Sequence, residues 1–516
     1  VFVRGALAIS SDAEYLKGDE EETTKPYIVG RSPANESTVV TLPDGTHKIF
    51  FINRPGNADR MMSLLSKDGV QWSEPTVEFE LPGEAYYANR VVVSKSGTIH
   101  CVFHVWSTGD LGYRGRQLDL WYTSQKPGDQ WAKPKKIFDG YVGSIRSFME
   151  LINERLILSF GKAVPERVSK PAAGEVDYGW NEVVSLYSDD DGKNWVLSNA
   201  LSIEIDSEKT TRYGAVEPDV IELESGKLWM LIRTNKGVLY ESFSLDGGSS
   251  WSDPEPSMFI SSDSPPAFLR LRDGRLVLFF NMNQRWDDPN SYAFGGREAL
   301  HAAISADDGK SWKGFREVFN VYGRNSLGEV KGDRGTAYPS ATETEDGRII
   351  LVTGQGESRS ILILDPDYLE ETSEIELQVS TSNTVDLPAQ LFHFGARRSG
   401  IVHMTLDVPE AVSSIRIELT DHYTIPTDTA VNKNPVCLGH LPISNNPGLL
   451  ELSIEWNMDR GKAKIRLPNN RTHTYNIKRD SVTGINYLRL LVLDDLEEPM
   501  EVPSGELVKN YYITNI

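Results

Sequence analysis

The sequence predicts an all-β fold, and three observations carry that prediction. Short runs of β-branched and aromatic residues recur along most of the chain, joined by Gly and Asp turns. A hairpin pattern, Ser-x-Asp-x-Gly-x-x-Trp, returns with its Trp at positions 72, 131, 195, 251 and 312, spaced by 59, 64, 56 and 61 residues. Helical periodicity is almost absent. That spacing exceeds the roughly 40–50 residues of common propeller repeats, so each unit holds four strands and a long loop. Six such units predict a six-bladed β-propeller over residues 1–371, and the alternating strands beyond it predict a C-terminal antiparallel β-sandwich over residues 372–516.

Taken in order, residues 1–9 form a strand-like run that is expected to close the ring by adding to the last blade, which removes an exposed sheet edge. The acidic residues 19–22 that follow suit a solvated loop. Ser66-Lys67-Asp68-Gly69 leads to Trp72, and a degraded copy at residues 124–128 leads to Trp131. Ser188, Asp190 and Gly192 lead to Trp195. Residues 214–254 show the plan most fully: runs at 220–223, 228–233 and 238–243, turned at Gly226, end in Ser244-Leu245-Asp246-Gly247-Gly248-Ser249-Ser250-Trp251. Asp and Gly shape that hairpin, and the Trp is a wedge between neighbouring sheets. Ser305 to Trp312 repeats the pattern, whereas the sixth unit, residues 338–364, keeps the first hairpin without the Asp-Gly-Trp ending. Runs at 401–406, 414–419, 449–456 and 487–493 supply the sandwich, which suits carbohydrate binding or simple packing.

Composition bounds the function. With 39% hydrophobic and 25% charged residues, the 516-residue chain reads as an ordinary globular protein of more than one domain. A net charge of −21 argues against a nucleic-acid partner, while a few local Arg residues still suit an anionic small substrate. No run of 18 apolar residues predicts a membrane span. The opening Val1-Phe2-Val3-Arg4 carries neither Met nor a signal peptide, the pattern of a processed or trimmed chain. Cys101 and Cys437 lie far apart and suit two buried thiols, and the nine His residues show no HExxH spacing, so neither a catalytic metal nor a cofactor is expected, while an acidic loop leaves room for a structural cation.

The innermost strand of each blade starts near the central funnel. Nine positions before the hairpin turn stand Glu36, Ala88, Ile145 (with Arg146 beside it), Glu217, Pro265 and Tyr338, the turn in the third unit being made by Glu154. Glu217 and Tyr338 thus share a register, and both are open to a structural or a chemical role. Gly332-Asp333-Arg334-Gly335 lies just ahead of the sixth funnel strand, and Gln355 lies between Gly354 and Gly356, where backbone can approach a ligand.

The repeated Ser-x-Asp-x-Gly-x-x-Trp boxes on a predicted propeller resemble the sialidase superfamily over roughly residues 30–370. The resemblance implies that Tyr338 attacks the anomeric carbon while Glu217 withdraws its proton, a neutral nucleophile being suited to an anionic sugar. It also implies a carboxylate clamp of three Arg, of which Arg233 and Arg297 match by position. The third is usually in an Arg-Ile-Pro segment; here Pro33-Ala34-Asn35-Glu36 puts Asn35 in its place. Arg31, Arg54, Arg146 or Arg334 is then the alternative source of charge. The usual acid/base Asp has Asp59 near its place but out of register. Asp333 with Gln355 resembles divergent members that invert configuration, Asp333 acting as general acid or base and Gln355 orienting a water. The expected function is an exo-acting glycoside hydrolase releasing sialic acid or a related acidic sugar from glycans, in a secreted or periplasmic setting. A propeller lyase or glycosidase acting on uronic-acid-containing glycans and a non-catalytic, lectin-like propeller are the alternatives.

Overall fold

The computed structural model describes residues 25–54, 56–108, 117–140, 142–164, 180–204, 214–283, 296–321, 335–370, 378–379, 386–387, 389–425, 435–443, 448–503 and 507–514. Among them the fold is all-β, as the periodicity requires. Helix is scarce there, the short Asp367–Glu370 being an example. Six four-stranded antiparallel sheets come first. Five are simple meanders; the fourth runs Val216–Glu222, Leu228–Arg233, Val238–Ser244 and Glu255–Ile260. The first strands of the six sheets touch one another in cyclic order, with Thr38–Thr41 of the first sheet reaching both Ala85–Val93 of the second and Ser340–Glu343 of the sixth. Four-stranded sheets arranged this way are consistent with blades.

The sixth sheet takes its outer strand from the other end of the chain. Tyr27–Gly30 pairs antiparallel with Ser360–Leu364, Tyr27 opposite Ile363. Residues 1–9, expected in that role, lie outside the described residues, and Tyr27–Gly30 fills it instead. The strand sits immediately before the first sheet, so the join needs no long crossing segment.

The hairpin boxes act as local clamps. In the fifth sheet the Ser305 hydroxyl donates to Asp307 at 2.9 Å, Asp307 accepts the Ser311 N–H at 2.8 Å, and the Trp312 indole donates to the Gly309 carbonyl at 3.1 Å. Trp72 and Trp195 repeat the indole bond to Gly69 and Gly192. Trp251 instead buries its ring among Leu151, Ile157 and Leu201 of the third sheet and its flanking loops, the predicted wedge. In the degraded copy, Trp131 donates to Glu78 of the preceding sheet at 3.0 Å.

Beyond residue 377 two five-stranded antiparallel sheets share one apolar core. Val402, Met404 and Leu406 alternate inward from Ser399–Val408, and Ile415 and Ile417 from Ser414–Thr420. The predicted runs at 401–406, 414–419, 449–456 and 487–493 all fall inside observed strands. Cys101 and Cys437 are free, buried thiols, and burial pushes Cys437 up to about 11.

The box carboxylates make stability fall in acid. Hydrogen bonds from the following turn hold Asp190 and Asp307 down to about 2, below the ordinary 3.8. Because the folded-state values are depressed, this stabilisation is complete above about pH 4 and is lost as pH falls toward about 2. Urea midpoints measured across that window should drop steeply, and less steeply in Asp307→Asn; equal slopes would show that the box carboxylates contribute nothing.

Candidate functional site

The site begins with backbone that L-residues avoid. Of the six funnel-register positions, the three with polar side chains, Glu36, Glu217 and Tyr338, have φ of 54°, 45° and 66°. Each costs on the order of 1 kcal/mol or more, and such strain persists only where surrounding structure enforces it. Glu217 sits where the pairing of Val216–Glu222 with Leu228–Arg233 slips between Val216 and Asp219, a bulge that re-aims a side chain. Tyr338 follows the turn at Gly335, whose carbonyl accepts the Gln355 N–H at 2.9 Å.

Those side chains converge on Arg233. It donates through Nη1 to Glu217 Oε2 and to the Tyr338 phenol oxygen at 3.1 Å, and through Nε to Asp263 at 2.6 Å. The Tyr338 hydroxyl in turn donates to Glu217 Oε1 at 3.1 Å. The phenol proton is therefore directed at a carboxylate while a cation steadies the phenol oxygen, the geometry of a nucleophile with its base. Arg297 donates to Gln355 Oε1 at 2.9 Å and to the Asp263 carbonyl at 3.1 Å. Its guanidinium lies 5.3 Å from the centre of the Tyr338 ring, and that of Arg146 lies 5.2 Å from the same ring. Arg146 also donates to the Pro339 carbonyl, which Arg90 reaches at 3.3 Å.

Every member of this cluster is less than a tenth exposed. Burial pushes the Asp263 carboxyl up, with Arg233 opposing, and pushes Asp219 up to about 6. Arg90 is pushed down to about 9, by burial first and then by the neighbouring Arg146 charge. Two surface clefts, of about 690 and 430 Å³, lie elsewhere: one by Trp229 and Asp307, the other by His403 and Tyr512.

The structure brings Glu217, Tyr338, Arg233, Arg297, Gln355 and Arg146 together. Asn35 accepts the Gly356 N–H at 3.0 Å, so it braces the turn that carries Gln355. Glu36 accepts the Ser144 hydroxyl. Arg54 pairs with Glu84 at 3.4 Å, Arg31 pairs with Glu357 at 2.9 Å, and Asp59 is held by Asn53 at 2.8 Å. Asp333 and Arg334 lie outside the described residues. Sequence reading passed over Asp263 and Arg90. Each stands two residues from a funnel-register position, Pro265 and Ala88, so extending that register by one residue pair would have found both.

Repeated four-stranded units with Ser-x-Asp-x-Gly-x-x-Trp hairpins and a buried Glu–Tyr–Arg cluster define a class of all-β repeat protein. The BNR repeat-like domain family matches residues 82–351, more than half of the chain. The chain belongs to that family, within the sialidase and BNR-repeat superfamily. An anhydrosialidase of Macrobdella decora is 25% identical over 179 residues, covering 33% of this chain and 21% of that protein. A sialidase of Vibrio cholerae is 31% identical over 158 residues, covering 27% of this chain and 20% of that protein. The chain thus matches about a fifth of the length of these relatives. Among solved structures, a Dyadobacter fermentans protein of unknown function has a TM-score of 0.49 at 16% identity, covering 66% of this chain and 97% of that one. Trypanosoma rangeli sialidase has a TM-score of 0.42 at 12% identity, covering 93% and 90%.

Asp263 is the buried counter-charge of the cluster. Asp263→Ala should lower unfolding free energy by roughly 3 kcal/mol, the usual cost of removing one partner of a buried pair. A urea titration checks this, and a loss below about 0.5 kcal/mol, the range of neutral surface changes, would show that Arg233 does not need it.

Proposed function

We propose that residues 1–371 form a six-bladed β-propeller, that residues 372–516 form a β-sandwich accessory module, and that the protein is an exo-acting glycoside hydrolase. It releases a terminal acidic sugar, sialic acid first, from glycans or glycoconjugates in a secreted or periplasmic setting. The cyclic contact of six first strands supports the propeller. The sialidase relatives support the reaction class, and one observation carries the reading: Tyr338 donates to Glu217 while accepting from Arg233.

In this reading Glu217 takes the phenol proton as the Tyr338 oxygen bonds to the anomeric carbon and the glycosidic C–O bond breaks. The leaving oxygen receives a proton from an acid, for which Asp333 is our assignment. Water then displaces the tyrosine oxygen, giving its proton to Asp333 while Tyr338 regains its own from Glu217, and the anomer is retained. Arg233 and Arg297 face the carboxylate of the sugar. A second route follows from Gln355: Arg297 holds its Oε1, while its buried Nε2 has no hydrogen-bond partner among the described residues. That amide suits a water attacking the anomeric carbon directly with inversion: Asp333 takes the water's proton, the glycosidic C–O bond breaks, and the leaving oxygen takes a proton from solvent water.

Incubation with a fluorogenic sialoside should release fluorophore, with no ultraviolet absorbance arising from a uronate-containing oligosaccharide. Glu217→Gln should lower kcat roughly 10²–10⁴-fold, and Tyr338→Phe at least as much. Proton NMR of the first sugar released decides the route: a retained anomer supports Tyr338, an inverted one Asp333 with Gln355. Silence toward the sialoside sinks the sialidase reading.

A further inference from the structure

The two C-terminal sheets have different neighbours. In one, Ala389–Arg397 packs on Lys313–Asn320 of the fifth repeated sheet, and Tyr487 of Ile485–Leu493 donates to Glu317. The other runs Thr472–Asn476, Lys462–Arg466, Gly448–Asn457, Ser399–Val408 and Val508–Thr514. Its inner side gives Val402, Met404 and Leu406 to the shared core, so the alternate residues face outward, away from the six repeated sheets. The cleft of about 430 Å³ lies on that outer side.

Strand register orders the lining. Tyr512, His403, Ser453 and Arg466 stand in one row across four neighbouring strands, three strand spacings or roughly 14 Å. Asn510, Thr405 and Glu451 form the row beside it. The Tyr512 ring stacks on His403 with centroids 4.6 Å apart and planes inclined by 16°, yet Tyr512 stays 48% exposed. The side chains of Thr405, Glu451, Ser453 and Asn510 make no hydrogen bond among the described residues. Glu455, in the row on the other side, is by contrast an ordinary paired surface charge, 2.6 Å from Arg466 and 3.9 Å from Lys464.

We propose that this cleft binds a neutral saccharide, with Tyr512 as its platform. An exposed aromatic ring takes the apolar C–H face of a pyranose. Beside it, Glu451 offers two acceptor oxygens, Asn510 a donor and an acceptor, and Thr405 and Ser453 hydroxyls, a set suited to the hydroxyls of the ring. Charge selects the neutral sugar: the Arg466 cation is already answered by Glu455, Glu451 has no cation partner among the described residues, and the chain carries a net charge of −21. The length of the row suits two sugar residues side by side. This site is separate from the Glu217–Tyr338–Arg233 cluster and does not rest on the glycosidase reading. Where that reading holds, the outer sheet keeps the protein on the neutral part of a glycan and raises the local concentration of its acidic ends.

Affinity electrophoresis of the full chain tests it, in gels holding arabinogalactan, galactomannan, xylan or β-glucan, with polygalacturonate as the acidic control. At least one neutral polymer should retard migration, and polygalacturonate should not. Tyr512→Ala should weaken that affinity about tenfold or more, with an unchanged Tm because the side chain is half exposed. Glu451→Ala carries the same test, with a smaller loss, where the Tyr512 variant does not fold. Retardation by none of the neutral polymers, equal retardation of both variants and the unaltered chain, or stronger retardation by polygalacturonate overturns the proposal. Turnover of a soluble fluorogenic sialoside is measured separately. Tyr512-dependent retardation without turnover keeps this inference and removes the glycosidase reading, whereas turnover without such retardation does the opposite.

Discussion

A guanidinium that is 4% exposed needs oxygen acceptors, carboxylates foremost, around it, and Arg233 is built into such a shell. Glu217 and Tyr338 approach it from one side and Asp263 from another, contributed by the fourth, sixth and fifth units of the repeat. Glu217 lies on the strand paired with that of Arg233, 16 residues away, whereas the Asp263 and Tyr338 bonds span 30 and 105 residues. The cluster therefore exists only when the sheets are assembled around one centre, and its left-handed residues, Glu217 and Tyr338, are held in place by the same bonds. The candidate site and the assembly of the sheets share one set of interactions.

That dependence extends to the C-terminal region. The Tyr423 hydroxyl donates to Glu298 at 2.6 Å, next to Arg297, and the Tyr423 N–H donates to the Met282 carbonyl at 2.9 Å. Tyr487 donates to Glu317 at 2.7 Å and meets His301 at 2.6 Å. Burial pushes His301 down to about 3, so it stays neutral inside this contact. The two regions meet through buried polar groups that need each other for satisfaction. The strand Ala299–Ser305, which follows Arg297 and Glu298, is thus braced by the C-terminal region, which gives those sheets a structural task beside any binding role.

The departure at Asn35 also has a physical consequence. A cation there would be replaced by a side chain that caps the turn at Gly356, steadying Gln355. Positive charge has instead accumulated at Arg90 and Arg146, around the Pro339 carbonyl that follows Tyr338. The charge of the site is redistributed around its tyrosine, not simply diminished.

Much of this was legible from residues alone. Strand positions, hairpin boxes and the alternating C-terminal runs follow from periodicities of two and from Gly and Asp turns, which are local properties. The nine-residue step from turn to funnel found Glu36, Glu217 and Tyr338 because each first hairpin repeats the same length. Asp263 and Arg90 escaped because their role is set by partners on other sheets, and Tyr27–Gly30 escaped because four residues are too short a run to stand out before their pairing with Ser360–Leu364 is seen. Local pattern determined which segments are strands and which residues start them. Only the assembled sheets decided which charges meet across them and which guanidinium N–H groups find no acceptor among the described residues, because those pairings depend on distances between sheets that no stretch of sequence contains.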